Sequence, residues 1–193
     1  MPAGSAAAGV VVVTCMDARV RVDRFGLGST QVNVLRNAGG RATDDVIRSL
    51  VVAWRMLGVQ EFLVVHHTEC RMMGTTNEQI RRDLAVSTGV DASAVDFLTF
   101  TNLHESVEED VERIRRSPYL GDAVPTSGYI WHLRAQRLEP VVVDRRARAA
   151  AGAGRGRTQS PSSVPSGGIW TRPPGKGTGP GRVGGQGKGA LPG

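Results

Sequence analysis

Four consecutive valines, Val10–Val13, run without a polar interruption into Thr14 and Cys15. A β-branched, apolar stretch of this kind has no wet face to alternate with a dry one. It describes a strand covered on both sides, and such strands belong to parallel sheets layered with helices. The residues that follow repeat the theme. Gln31–Arg36 alternates as a second strand, and Asn37-Ala-Gly-Gly40 supplies a turn. Thr43 stands where a helix cap belongs, with Asp44 and Asp45 favouring the positive end of the helix. Val46, Ile47, Leu50, Val51, Trp54 and Leu57 then recur at helical spacing up to a terminating Gly58. Glu61–His67 reads as the next strand. Thr75-Thr-Asn-Glu78 has capping-box spacing and opens a short helix carrying Ile80 and Leu84. Val107, Val111 and Ile114 mark a third helix that stops before Pro118. Tyr129–Leu133 and Glu139–Val143 are two late strands able to close as a hairpin. Strands alternating with helices predict an α/β domain over residues 1–144, with a mostly parallel central sheet flanked by helices.

The remainder differs in kind. Of the 24 Lys and Arg residues, nine lie in 145–193, together with fourteen Gly, six Pro and no acidic residue. That leaves 15 basic against 18 acidic residues in 1–144, so the high pI of about 10.3 belongs to the tail. A segment with so little to bury cannot offset its ordering entropy, which predicts a disordered, basic Gly/Arg/Pro-rich tail. A uniformly basic nucleic-acid-binding domain is excluded. The tail has one aromatic residue, Trp170, and so no stacking platform; nucleic acid is not an expected partner.

No apolar run approaches the roughly 20 residues needed to span a bilayer, so no membrane partner is expected. No Lys or Arg precedes Arg19, and Val10–Val13 therefore lacks the charged leader of a secretory signal. The chain reads as cytoplasmic. Two cysteines in that setting raise the question of metal binding or catalysis before that of a disulfide.

Cys15 ends the first strand, and His67-Thr-Glu-Cys70 ends the strand after the long helix. In open α/β sheets the carboxyl ends of strands line the ligand crevice. Two thiolates and one imidazole meeting there could hold Zn²⁺ with a fourth position open, as catalytic zinc sites do. Asp17 and Arg19 would put a carboxylate and a guanidinium beside it. The residues allow a plainer reading too: free cysteines are commonly buried for packing, a histidine after a strand is commonly a satisfied core group, and Asp17 with Arg19 can be an ordinary ion pair.

Three strings, in order, bear on the choice: Cys-Met-Asp-Ala-Arg (15–19), Arg-Asn-Ala-Gly-Gly (36–40) with Asp44-Asp-Val-Ile-Arg-Ser-Leu50, and His66-His-Thr-Glu-Cys70. Together they resemble the β-class carbonic anhydrases, particularly the short bacterial and mycobacterial-type members, from about Val10 to Val143. The resemblance implies Cys15, His67 and Cys70 as zinc ligands and Asp17 with Arg19 as a catalytic dyad. Asp17 would accept a hydrogen bond from zinc-bound water or hydroxide, and in a closed form would itself become a ligand. It implies zinc-dependent reversible hydration of CO₂ to bicarbonate and a proton, by a homodimer or larger homo-oligomer. Two alternatives stay open: the same fold acting on a CO₂ analogue such as carbon disulfide, and a zinc-binding homologue with impaired catalysis. His66, His104 and His132 are candidate proton carriers but read first as packing or surface residues. Gly39 and Gly40 are expected to let backbone approach the site. Asp44 is expected as a helix-start charge, with a supporting role at the site as the alternative. Three departures stand out. Arg71 replaces the family's glycine after the last ligand, only nine residues precede the first strand, and Ala135-Gln136-Arg137-Leu138 replaces a Gly-Lys-Leu turn.

Overall fold

A computed structural model describes residues 9–28 and 30–147. The expected low-complexity tail lies outside these residues apart from positions 145–147, where Arg146 pairs with Asp144 at 2.7 Å.

Five strands form one sheet: β1 (Gly9–Cys15), β2 (Val32–Asn37), β3 (Val59–His67), β4 (Thr126–His132) and β5 (Arg137–Val142), in the order β2-β1-β3-β4-β5. The first four run parallel, and β5 closes antiparallel on β4. Every residue of β1 is buried, as its uninterrupted apolar sequence requires. Three helices complete the domain: α1 (Asp44–Leu57), α2 (Asn77–Thr88) and α3 (Leu103–Arg116).

Strand pleating divides the valines of β1 between two cores. Val11 and Val13 join Phe62, Val64 and Ile130 on the face covered by Ile47 and Leu50 of α1 and by Val107, Val111 and Ile114 of α3. Val10 and Val12 face the other way, with Leu63, Val65, Tyr129 and Trp131, and are covered by Val20, Phe25 and Leu27 from the segment between β1 and β2. Phe25 packs against Trp131 with ring centroids 4.9 Å apart. Each fully buried valine or leucine of these layers contributes about 1.5–3 kcal/mol. Gly128 lets α3 lie close on β4, since a Cβ there would sit 2.5 Å from Val107.

The helix ends follow their sequence cues. The Thr43 side chain accepts from the Val46 amide, and Gly58 terminates α1 in the left-handed region. At α2 the cap falls one residue later than the capping-box spacing suggests: Thr76, not Thr75, accepts from the Gln79 amide. No helix among the described residues is long and apolar enough to cross a membrane.

Candidate metal centre

The chain leaves β1 toward β2 on one side and returns over α1 to β3 on the other, so strand order reverses between β1 and β3. Ligand crevices of open sheets lie at the carboxyl ends of the strands at such a reversal. Cys15 is the last residue of β1, His67 is the last of β3, and Cys70 follows three residues on.

The backbone carrying Cys15 is held from several directions. Thr14 Oγ1 donates to the Val65 carbonyl at 2.6 Å, stitching β1 to β3 directly below the site. From β2, the Arg36 guanidinium donates to the Cys15 carbonyl at 2.8 Å and to the Val20 carbonyl at 3.0 Å, clamping both ends of the loop that bears Asp17 and Arg19. Gly40 presses against the same segment. Its φ is +74°, and a Cβ would stand 2.8 Å from the Cys15 nitrogen, so both conformation and space require glycine. The expected close approach holds at Gly40; the Arg36 clamp has only a weak sequence cue, a long donor on the strand beside Cys15.

Cys15, His67 and Cys70 meet as a buried group whose ligand atoms all lie within 4.8 Å of one another. Both cysteines are free thiols. His67 Nδ1 is 2.9 Å from the Thr68 carbonyl. A carbonyl only accepts, so Nδ1 carries the proton and Nε2 is left as a lone-pair donor. That buried Nε2 has no hydrogen-bond partner. A ring oriented by one nitrogen with the other free is how proteins present a histidine to a metal.

The electrostatics agree. A hydrogen bond from Cys70 is the largest influence on Cys15 and holds it well below the ordinary thiol range, against the cost of burial. The reciprocal bond, with burial, pushes Cys70 up. The pair thus shares one proton that a divalent cation can displace. Burial is the largest influence on His67 and disfavours its protonation, but the Cys15 sulfur, the Thr68 carbonyl and the Asp17 carboxylate together outweigh it and raise the imidazole. Two soft sulfurs and one imidazole suit zinc, and three protein donors match a site with an open fourth position.

Beside this group the Arg19 guanidinium grips Asp17. Nε lies 3.0 Å from Oδ1, one terminal nitrogen lies 2.7 Å from Oδ2, and the Arg19 amide adds a 2.9 Å bond to Oδ1. The Arg19 hydrogen bond drives the Asp17 carboxyl down to about 2. Asp17 Oδ2 is 4.0 Å from His67 Nε2, next to the donor group but turned to Arg19.

Other candidates fall elsewhere. His66 points away from His67, into a fully buried set on α3: Nδ1 lies 2.8 Å from Ser106 Oγ, and Nε2 lies 3.1 Å from Asp110, which Arg41 also approaches at 2.9 Å. His104 and His132 both hydrogen-bond Glu139, at 3.0 and 2.6 Å. Asp44 is exposed at the start of α1 and pairs with Arg113 at 2.7 Å, which supports its reading as a helix-start charge. Arg71 opens a single 3-10 turn with its side chain exposed, and its backbone is not in the left-handed region, so nothing there demands glycine.

A mostly parallel α/β sheet with a Cys-His-Cys group at its reversal point is the class of fold and candidate site observed, and known proteins share it. The carbonic anhydrase family model matches residues 10–130. A β-carbonic anhydrase of Mycobacterium tuberculosis is 32% identical over 133 residues, covering 68% of this chain and 81% of the relative. A carbon disulfide hydrolase of Acidithiobacillus thiooxidans is 31% identical over 150 residues, covering 67% and 75%. The crystal structure of carbonic anhydrase from Streptococcus mutans superposes with a TM-score of 0.66 at 43% identity, covering 68% of this chain and 80% of that one. The chain belongs to the β-carbonic anhydrase family.

Proposed function

We propose that this chain interconverts carbon dioxide and bicarbonate, with Zn²⁺ held by Cys15, His67 and Cys70. The observation that carries this reading is the buried group of two free cysteines and one imidazole, with its ligand atoms within 4.8 Å of one another and His67 Nε2 without a hydrogen-bond partner. When bound, zinc lowers the pKa of coordinated water to about 7, which supplies a nucleophile at neutral pH. The protein's own residues do the rest. The Thr68 carbonyl fixes the His67 tautomer. Arg19 keeps Asp17 ionised, and one carboxylate oxygen would accept a hydrogen bond from a group held at the open position and orient it toward substrate carbon. Turned onto the ion instead, Asp17 would occupy that position.

The test is CO₂ hydration by purified protein with and without a zinc chelator. The reading requires about one zinc per chain and activity that disappears with the metal. Stoichiometric zinc without hydration at any pH from about 6 to 9, a range straddling the near-neutral pKa of zinc-bound water, would instead mark a zinc-binding homologue without turnover. The carbon disulfide hydrolase relative motivates a second reading, the same site acting on carbon disulfide. Turnover of the two substrates, measured side by side, separates them.

We further propose a homodimer or larger assembly working in the cytoplasm as a domain spanning 1–144. Val34 on the edge strand β2 lines one depression with Val52 and Leu57 of α1. These three, with Met56 beyond, are exposed apolar residues that a second copy would cover. Light scattering that gave a monomer at micromolar concentration would contradict the assembly. The two free thiols suit a reducing compartment.

A further inference from the structure

Glu69 lies between His67 and Cys70 and adopts φ +60°, a left-handed conformation that side chains rarely take and glycine takes freely. Strain of this kind persists where the surroundings impose it, and it concentrates at functional sites. The conformation turns two groups of one residue onto Arg19. The Glu69 carbonyl accepts from an Arg19 terminal nitrogen at 3.3 Å, and carboxylate Oε2 lies 3.6 Å from the other. Oε1 is taken by Arg134 Nε at 2.6 Å, from the turn between β4 and β5. Arg19 is thus gripped along its Asp17 edge and also along its outer edge. Without the outer contact, a half-exposed arginine on an exposed loop would be held by Asp17 alone. Asp17 stands only 4.0 Å from His67 Nε2, close enough to turn toward the donor group.

We propose that Glu69, braced by Arg134, is a positioning residue that holds Arg19 so that Asp17 stays turned away from the metal position. The proposal rests on the function proposed above, because it concerns where Asp17 points relative to a bound ion. Glu69 acts through Arg19 and touches no reacting atom.

Two variants of the full chain separate loss of the carboxylate from relief of the backbone strain. Glu69→Gln keeps shape and conformation but loses the charge. Glu69→Gly relieves the left-handed strain and keeps the carbonyl. The readouts are melting temperature, kcat and KM for CO₂ hydration, and the visible absorption bands of the cobalt(II)-substituted protein, which report coordination of the ion without requiring turnover. Glu69→Gly is expected to melt at or above the wild-type temperature. Its kcat should nevertheless fall roughly two- to fivefold, the range an exposed ion pair supports, with KM unchanged. Glu69→Gln should fall similarly, and both should shift the cobalt bands the same way. Stability and site geometry moving in opposite directions is something a merely structural residue does not produce. Cobalt bands identical to wild type in both variants, or a kcat that follows melting temperature, would overturn the proposal. A wild type that binds cobalt but does not hydrate CO₂ would defeat the functional reading alone, and the band shift would then decide the proposal.

Discussion

His66 and His67 are neighbours on β3, both fully buried, yet they sit in opposite kinds of environment. His66 is enclosed by Ser106, Asp110 and, through Asp110, Arg41, with Phe100 stacked on its ring at 5.6 Å. Its Nε2 faces a carboxylate that the Arg41 guanidinium also approaches, so the charges around it lie within the protein. His67 is tied by one nitrogen to Thr68, and its other nitrogen faces two thiols with no partner. One histidine faces an Asp–Arg ion pair, and the other faces two sulfurs that with it form a candidate metal site. Burial alone does not distinguish a structural histidine from a metal ligand; what the second ring nitrogen faces does, a carboxylate at 3.1 Å for His66 and two sulfurs for His67.

The sharpest way to break this contrast is to delete each ring. His67→Ala, or Cys15→Ser, is expected to abolish zinc retention and to lower hydration by about a thousandfold or more, since the open-site chemistry depends on the ion. His66→Ala should retain zinc but lose about 3–5 kcal/mol of stability, because it empties the space of a fully buried ring and removes the group facing Ser106 and Asp110, while Asp110 stays paired with Arg41. Metal analysis and denaturant unfolding of both variants check this, and the same outcome in each would erase the distinction. Next in size is Gly40→Ala. Its Cβ would lie 2.8 Å from the Cys15 nitrogen at φ +74°. Strain and overpacking together should cost about 2–4 kcal/mol and weaken zinc binding, read by melting temperature and competition with a chelator.

Much of this was legible in the chain because the cues are local. The valine run specifies a strand buried on both faces, Thr43 and Gly58 bracket α1, and Cys15, His67 and Cys70 each fall at or just past the end of a strand. What the sequence conceals is partnership at long range. Asp110 sits on the same helical stripe as Val107 and Ile114, and Arg41 lies in a loop, so no periodicity announces that both converge on His66. Glu69 reads as a surface residue between two ligands until its backbone conformation is seen. The slip from Thr75 to Thr76 at α2 has a simpler cause: adjacent threonines offer equivalent caps, and local sequence cannot choose between them.

A smaller effect concerns Asp17. Asp17→Asn should leave zinc in place and lower kcat by about 10–100-fold, the range for losing an orienting partner beside a metal site. A loss of zinc instead would make Asp17 a required ligand. The smallest effect is on stability against pH. The Asp17 carboxyl, ordinarily at 3.8, is held at about 2 by Arg19, so the folded state favours its ionised form. Its contribution is present in full above about pH 4 and is lost as pH falls toward 2. The stability difference between wild type and Asp17→Asn should therefore be flat from pH 7 to 5 and close between about pH 4 and 2.

The most direct measurement is zinc K-edge X-ray absorption on the purified chain. A shell of two sulfurs near 2.3 Å, with the remaining ligands nitrogen or oxygen near 2.0–2.1 Å, is expected from Cys15, Cys70 and His67. A zinc shell without sulfur, or a folded chain that retains no zinc, would contradict the assignment.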